Sequence, residues 1–212
     1  MRTSIKNLFA ATLILLTLGT SAFAADGKEK NVTILTPVKN IDKIIVSGNV
    51  EVILVQAPTE SVKVYDSYYS KNALVQQEDG ILRISSYQKE TLTVAVYVRN
   101  LSAIEAANNT QVKTLGKVSF LSLDVVLKDQ ATADLNATTI ALNTIVKDDA
   151  SLKLTGNATD HYAVLSTQAK LNMDQFNATC SSIHAANPVI TTVIVKKAKD
   201  LPTSDDFVEF SK

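Results

Sequence analysis

The sequence predicts an all-β chain whose short strands wind into a β-solenoid. Three observations lead there. A corner pattern recurs at near-constant spacing between Asn108 and Met173. Apolar residues alternate with period two after each corner, as on a strand with one buried face. Beyond Ala24 no stretch carries the apolar period of a helix of ordinary length.

The corners read Asn108-Asn109-Thr110, Lys128-Asp129-Gln130-Ala131, Lys147-Asp148-Asp149-Ala150 and Ser166-Thr167-Gln168-Ala169. Aligned on Thr110, Ala131, Ala150 and Ala169, they are 21, 19 and 19 residues apart. Asn and Asp tolerate left-handed backbone and bond their own main chain, so they suit corners. The small residue that follows lets the next coil approach closely. After the corners, Ala133 and Leu135, Leu152 and Leu154, and Leu171 and Met173 stand two apart. A second apolar run precedes each corner, as in Leu121–Leu127 and Ile140–Val146. Each repeat is therefore expected to hold about two short strands and two corners. One unit cannot bury its own apolar face, whereas copies stacked at the ~4.8 Å strand spacing can. Ala131, Ala150 and Ala169 should then stack, and Leu135, Leu154 and Met173 should form an interior column. Evenly spaced turns also fit an antiparallel meander or sandwich; the recurrence of the corner itself favours the solenoid.

The remaining elements follow in chain order. Residues 1–24 read as a secretory signal peptide: Arg2 and Lys6, an apolar core from Leu8 to Leu18, and Ala22-Phe23-Ala24 before a cut at Ala25. The core is shorter than the ~20 residues that span a bilayer, and no comparable apolar stretch follows. The mature chain is thus expected to carry no transmembrane segment and to be periplasmic, cell-surface or secreted. Residues 25–40 read as a polar lead-in. The solenoid domain is placed at 41–200 and a C-terminal tail at 201–212. Ile44-Ile45-Val46 and Val50–Val55 read as strands about a Ser47-Gly48-Asn49 turn, and Val62–Tyr65 alternates cleanly. Asp79-Gly80 between Leu74-Val75 and Ile81–Ile84 is a hairpin signal. In Thr91–Val98, Leu92, Val94, Val96 and Val98 share one face, with Tyr97 opposite. Val189–Val195 is strongly β-branched and reads as a last strand.

This order of elements, Ile44-Ile45-Val46-Ser47-Gly48 with Val50-Glu51-Val52, then Asp79–Ile84, Val94–Val98 and the corner repeats, resembles the head GIN domain of auto-transporter adhesins. The likeness runs from about Ile41 to Val195. It implies an exported bacterial protein with a right-handed parallel β-helix-like fold and an adhesive role. The corners carry Asn, Asp, Gln and Ala where that family favours Gly, so no residue roles are carried over.

The whole chain has 21 Lys+Arg and 21 Asp+Glu, and loss of the signal segment leaves a net charge of −2. That balance excludes the basic footprint of a nucleic-acid binder. His161 and His184 are the only histidines and lack metal-ligand spacing, which reads as surface or corner placement. Cys180 is the single cysteine, without an intrachain partner; it reads as a small buried member of the apolar column. Asp129, Asp148 and Asp149, with Asp134 and Asp160, are spaced to form carboxylate rows suited to a cation or a polysaccharide-cleaving site, but Lys128 and Lys147 stand beside the corner acids to neutralise them. Tyr68 and Tyr69, in the loop after Tyr65, are the candidate contact patch. No catalytic residue, cofactor or metal site is assigned. The leading reading is a non-enzymatic exported module with an envelope, surface or glycan partner. Its rival is a carbohydrate-active enzyme of the pectin-lyase type.

Overall fold

The computed structural model describes residues 32–35, 38–65 and 73–186. Every regular element in them is a strand: β1 (Val32–Leu35), β2 (Lys43–Gly48), β3 (Val50–Gln56), β4 (Ser61–Tyr65), β5 (Ala73–Glu78), β6 (Ile81–Ser86), β7 (Leu92–Val98), β8 (Ala103–Ala107), β9 (Gln111–Thr114), β10 (Val118–Leu127), β11 (Thr132–Val146), β12 (Ser151–Leu165) and β13 (Lys170–Ala185). All belong to one sheet, strongly curled into a half-barrel.

The repeat step becomes the pairing offset. Asp124 of β10 faces Ala103 of β8, 21 residues back, and Ala137 of β11 faces Val118 of β10, 19 back. Thr132 faces Ser151, which faces Lys170, again at 19. All these pairings are parallel, so each coil lays its side chains over those of the last. The corner residues stack as the spacing predicts: Thr132 N–H donates to the Thr110 carbonyl, Ser151 N–H to Ala131 and Lys170 N–H to Ala150. Ala131 and Ala150 are fully buried and Ala169 packs partly against the same core. Leu135 pairs with Leu154, and both are buried. Met173 lies at the same level but in a β-bulge, where the register slips between Lys153 and Thr155, and it is only partly buried.

The expected two short strands per repeat are replaced by one long one. β11 and β12 each run unbroken for 15 residues. Where a second corner was expected, the pairing register runs on unbroken and only the inward–outward alternation lapses. Ile140-Ala141 and Thr159-Asp160 are consecutive residues with no buried side chain, stacked on the exposed pair Leu121-Ser122 of β10.

The first coils do not stack in chain order. β2 lies between β6 and β8, and β3 between β7 and β9. The β2–β3 coil is therefore flanked on one side by β6–β7 and on the other by β8–β9. The excursion between β3 and β6 adds antiparallel strands, β4 on β7 and β5 on β6, and the N-terminal β1 adds another on β4. β1 falls within the expected lead-in at 25–40, so strand structure begins before Ile41. The Asp79-Gly80 hairpin forms as predicted, with both residues at positive φ (48° and 77°). Leu92, Val94, Val96 and Val98 are buried while Tyr97 faces out. The Val189–Val195 and 201–212 expectations lie outside the described residues.

One apolar core fills the inside of the curl, from Ile41 and Ile44 through Leu54, Val96, Ile104 and Leu123 to Leu142 and Leu154. Burying each such Val, Leu or Ile contributes about 1.5–3 kcal/mol before the entropy of ordering the chain is counted. That core leaves the outward side chains and the corners to meet any partner.

Candidate interaction surface

Corner geometry comes first. Asn108, Asp129 and Asp148 occupy the same place in successive corners and adopt left-handed backbone, with φ of 62°, 59° and 55°. Each side chain reaches one coil back. Asn108 Oδ1 accepts from Gly48 N–H at 3.2 Å, Asp129 Oδ2 from Asn108 N–H at 3.0 Å, and Asp148 Oδ2 from Asp129 N–H at 3.1 Å. Amides that the strands leave unpaired at the bend are thereby satisfied, two of them by charge-assisted bonds. This corrects the expectation for the corner acids. Backbone amides, rather than Lys128 and Lys147, meet the carboxylates of Asp129 and Asp148. Asp134 stands on a separate outer face, paired with Lys153 at 2.9 Å, and Asp160 is exposed mid-strand in β12. Among the described residues no three His, Cys, Asp or Glu side chains come together as a metal cluster.

The outer face of the β3–β9–β11–β12 arm is a ladder of polar side chains. Lys113 pairs with Glu51 at 2.5 Å, and Thr138 Oγ1 donates to Asn157 Oδ1 at 3.1 Å. Lys63 sits 4.9 Å over the Tyr97 ring. Across the other arm, Lys43 pairs with Glu105 at 2.5 Å and Asn143 Nδ2 donates to Asp124 Oδ1 at 2.8 Å. Beside them runs a half-buried aliphatic row, Val126, Ile145 and Val164, in direct register, with Leu121 and Ile140 exposed where the alternation lapses. Both faces are long, shallow and built of repeating columns.

His161 and Cys180 reverse their expected placements. His161 is buried, 3% exposed, on the inward face of β12. Its Nε2 lies 3.2 Å from Thr144 Oγ1 and its Nδ1 3.1 Å from Ser181 Oγ, and its ring meets Phe176 edge-on at 5.5 Å. Burial lowers its pKa from the usual 6.5, because the apolar surroundings disfavour the imidazolium. Cys180 is exposed on β13, in register with Asp160 of β12. His184 is exposed as expected and lies 5.0 Å from the Tyr162 ring. A recess of about 200 Å³ opens among Ala141, Asn143, Asp160, Tyr162, Cys180 and Ser182, with His161 at its base. Both ring nitrogens of His161 are engaged by hydroxyls, so it is a packing residue. Residues Gln175–Ala185 belong to β13. Tyr68 and Tyr69 lie outside the described residues.

A second cleft, of about 490 Å³, opens where three corners meet. Gly48 and Asn49, Tyr87 to Lys89, and Asn108 and Asn109 line it. Tyr87 is 75% exposed, with its hydroxyl 3.4 Å from Ser47 Oγ. The meeting of these corners depends on β6–β7 stacking beside β2–β3, which no local pattern encodes.

The described residues form an all-β domain of curled, parallel-stacked strands with long ladder-like faces. The family described as "Putative auto-transporter adhesin, head GIN domain" matches residues 40–197, and this chain belongs to that family. Among curated proteins none matches at a significant level. Solved structures share the fold. A "putative adhesin" from Bacteroides fragilis superposes with a TM-score of 0.61 at 15% identity, covering 74% of this chain and 77% of that one. Another "putative adhesin", from Parabacteroides distasonis, gives a TM-score of 0.56 at 15% identity over 74% and 79%. A "putative lipid binding protein", also from Parabacteroides distasonis, gives 0.56 at 11% identity over 73% and 78%.

Proposed function

We propose that this chain is an exported, non-enzymatic interaction module. Its export follows from the charged start, short apolar core and Ala-x-Ala site, with cleavage before Ala25. Its architecture is a right-handed parallel β-helix, the hand that L-residues favour for strand–crossover–strand connections. The mature protein presents its long outer faces to a partner in the envelope or at the cell surface. The names borne by the similar structures, adhesin and lipid-binding protein, fit a surface-contact role.

One observation carries this reading. Three of the five carboxylates with the spacing of a catalytic row are engaged in holding the coils together: Asp129 and Asp148 cap backbone amides and Asp134 is paired with Lys153. What remains outward is a set of repeating columns, whose many weak contacts add over a long face. An acid–base site instead needs titratable groups converging within hydrogen-bond reach of one substrate atom.

The test is incubation of the purified mature chain with pectins, alginates and host glycans. No unsaturated or reducing ends should appear above a heat-inactivated control. Product release that is abolished by Asp148→Asn would transfer the chain to the enzyme class.

A further inference from the structure

We propose that the cleft at the β6–β7 corner is a subsite for a neutral pyranose. The inference rests on the interaction-module reading and gives it a ligand class. Five residues, Tyr87 to Thr91, join β6 to β7, whereas Asn49 alone joins β2 to β3. Because β6 lies against β2 and β7 against β3, the longer corner overhangs the shorter one and leaves the cleft between them. Its volume, about 490 Å³, falls in the ~300–1,000 Å³ range of small-ligand sites.

The walls are fixed. Asn49 Nδ2 donates to the carbonyls of Gln88 and Lys89 at 3.2 and 3.0 Å, and Asn49 Oδ1 accepts from Thr91 Oγ1 at 3.0 Å. Asn108 is held at both ends of its amide, by Gly48 N–H and by Asp129 Oδ2. A ligand therefore meets a preformed cleft and need not order it.

The groups left over match a sugar. The side chains of Asn109 and Gln88 make no hydrogen bond to another described residue, and each amide offers a donor and an acceptor. Hydroxyls, which donate and accept, pair with both. Tyr87 supplies an exposed ring for the apolar C–H face of a pyranose. Lys89 is the only charged side chain in the lining, too little for a phosphate backbone and unsuited to a cation.

Saturation-transfer NMR on the mature chain with cellotetraose, chitotetraose and mannotetraose tests this. Tyrosine ring protons should transfer to at least one of them. Tyr87→Ala should weaken that binding roughly two- to ten-fold, the worth of one aromatic contact, and Tyr87→Phe should leave it near wild type. Tyr87 is exposed, so both variants should keep the wild-type thermal midpoint. Absence of transfer to all three sugars, or transfer unchanged in Tyr87→Ala, overturns the subsite. Binding of the mature chain to isolated envelopes is measured alongside. Envelope binding without sugar transfer sinks the subsite alone. Sugar transfer without envelope binding supports the subsite and counts against the broader module reading.

Discussion

Gly156 sits mid-strand in β12 with φ of +105°, opposite Ala137. A Cβ there would stand 2.2 Å from the Ala137 carbonyl oxygen, so this close approach of two coils admits only glycine. Gly156→Ala should cost about 1–3 kcal/mol or more. Gly116 is the control: its φ is +83° but nothing lies within 4 Å of its Cβ position. Gly116→Ala should cost less, through backbone strain alone, and urea unfolding of the two variants measures the difference. Equal losses would show that the steric contact does not matter. His161 gives a pH signature. Its folded pKa is lowered from 6.5, so below about that pH the unfolded chain binds a proton that the folded chain resists. Stability should be flat above that value and decline as pH falls below it, until the folded imidazole also protonates. His161→Gln should remove that part of the decline in urea midpoints; an identical slope in the variant would contradict the buried assignment. Neither residue's role was legible in the sequence. Gly156 acts through a backbone 19 positions away, and His161 is surrounded in sequence by Asp160 and Tyr162, which point outward.

At the scale of the element, the corners were the most legible feature. Their step of 19 to 21 residues is the pairing offset of the coils, and the small residue after each corner is the one that stacks. The bent strands were not legible. Two successive residues stay out of the core at Ile140-Ala141, and in sequence this resembles a lapse in alternation rather than a turn. The same physics explains Cys180, which was read as interior. It falls beside Thr179, where the alternation slips by one and the side chain faces out. The column assignments predict unequal penalties. Leu154→Asp buries a carboxylate in the fully enclosed column and should cost several kcal/mol. Met173→Asp, at the partly open bulge, should cost less. Thermal midpoints rank the two, and an unmoved midpoint for Leu154→Asp would show that the column is wrongly drawn.

For the whole molecule, the all-β class and the family were readable from the order of many weak local signals. Strand order was not, because β7 to β8 crosses from one flank of the β2–β3 coil to the other, and only tertiary packing records that choice. The candidate site shares this fate. Tyr87, Asn49 and Asn109 come together through that stacking, while Tyr68 and Tyr69 stood out in the sequence merely as neighbours. The central claim is that the assembled faces bind an envelope or surface partner without transforming it. Its most direct measurement is the binding isotherm of the mature chain on isolated bacterial envelopes, with the chain length of the envelope polysaccharide followed by size-exclusion chromatography. The account predicts saturable binding and an unchanged polysaccharide profile. Binding that never saturates, or a profile that shifts to shorter chains, would contradict it.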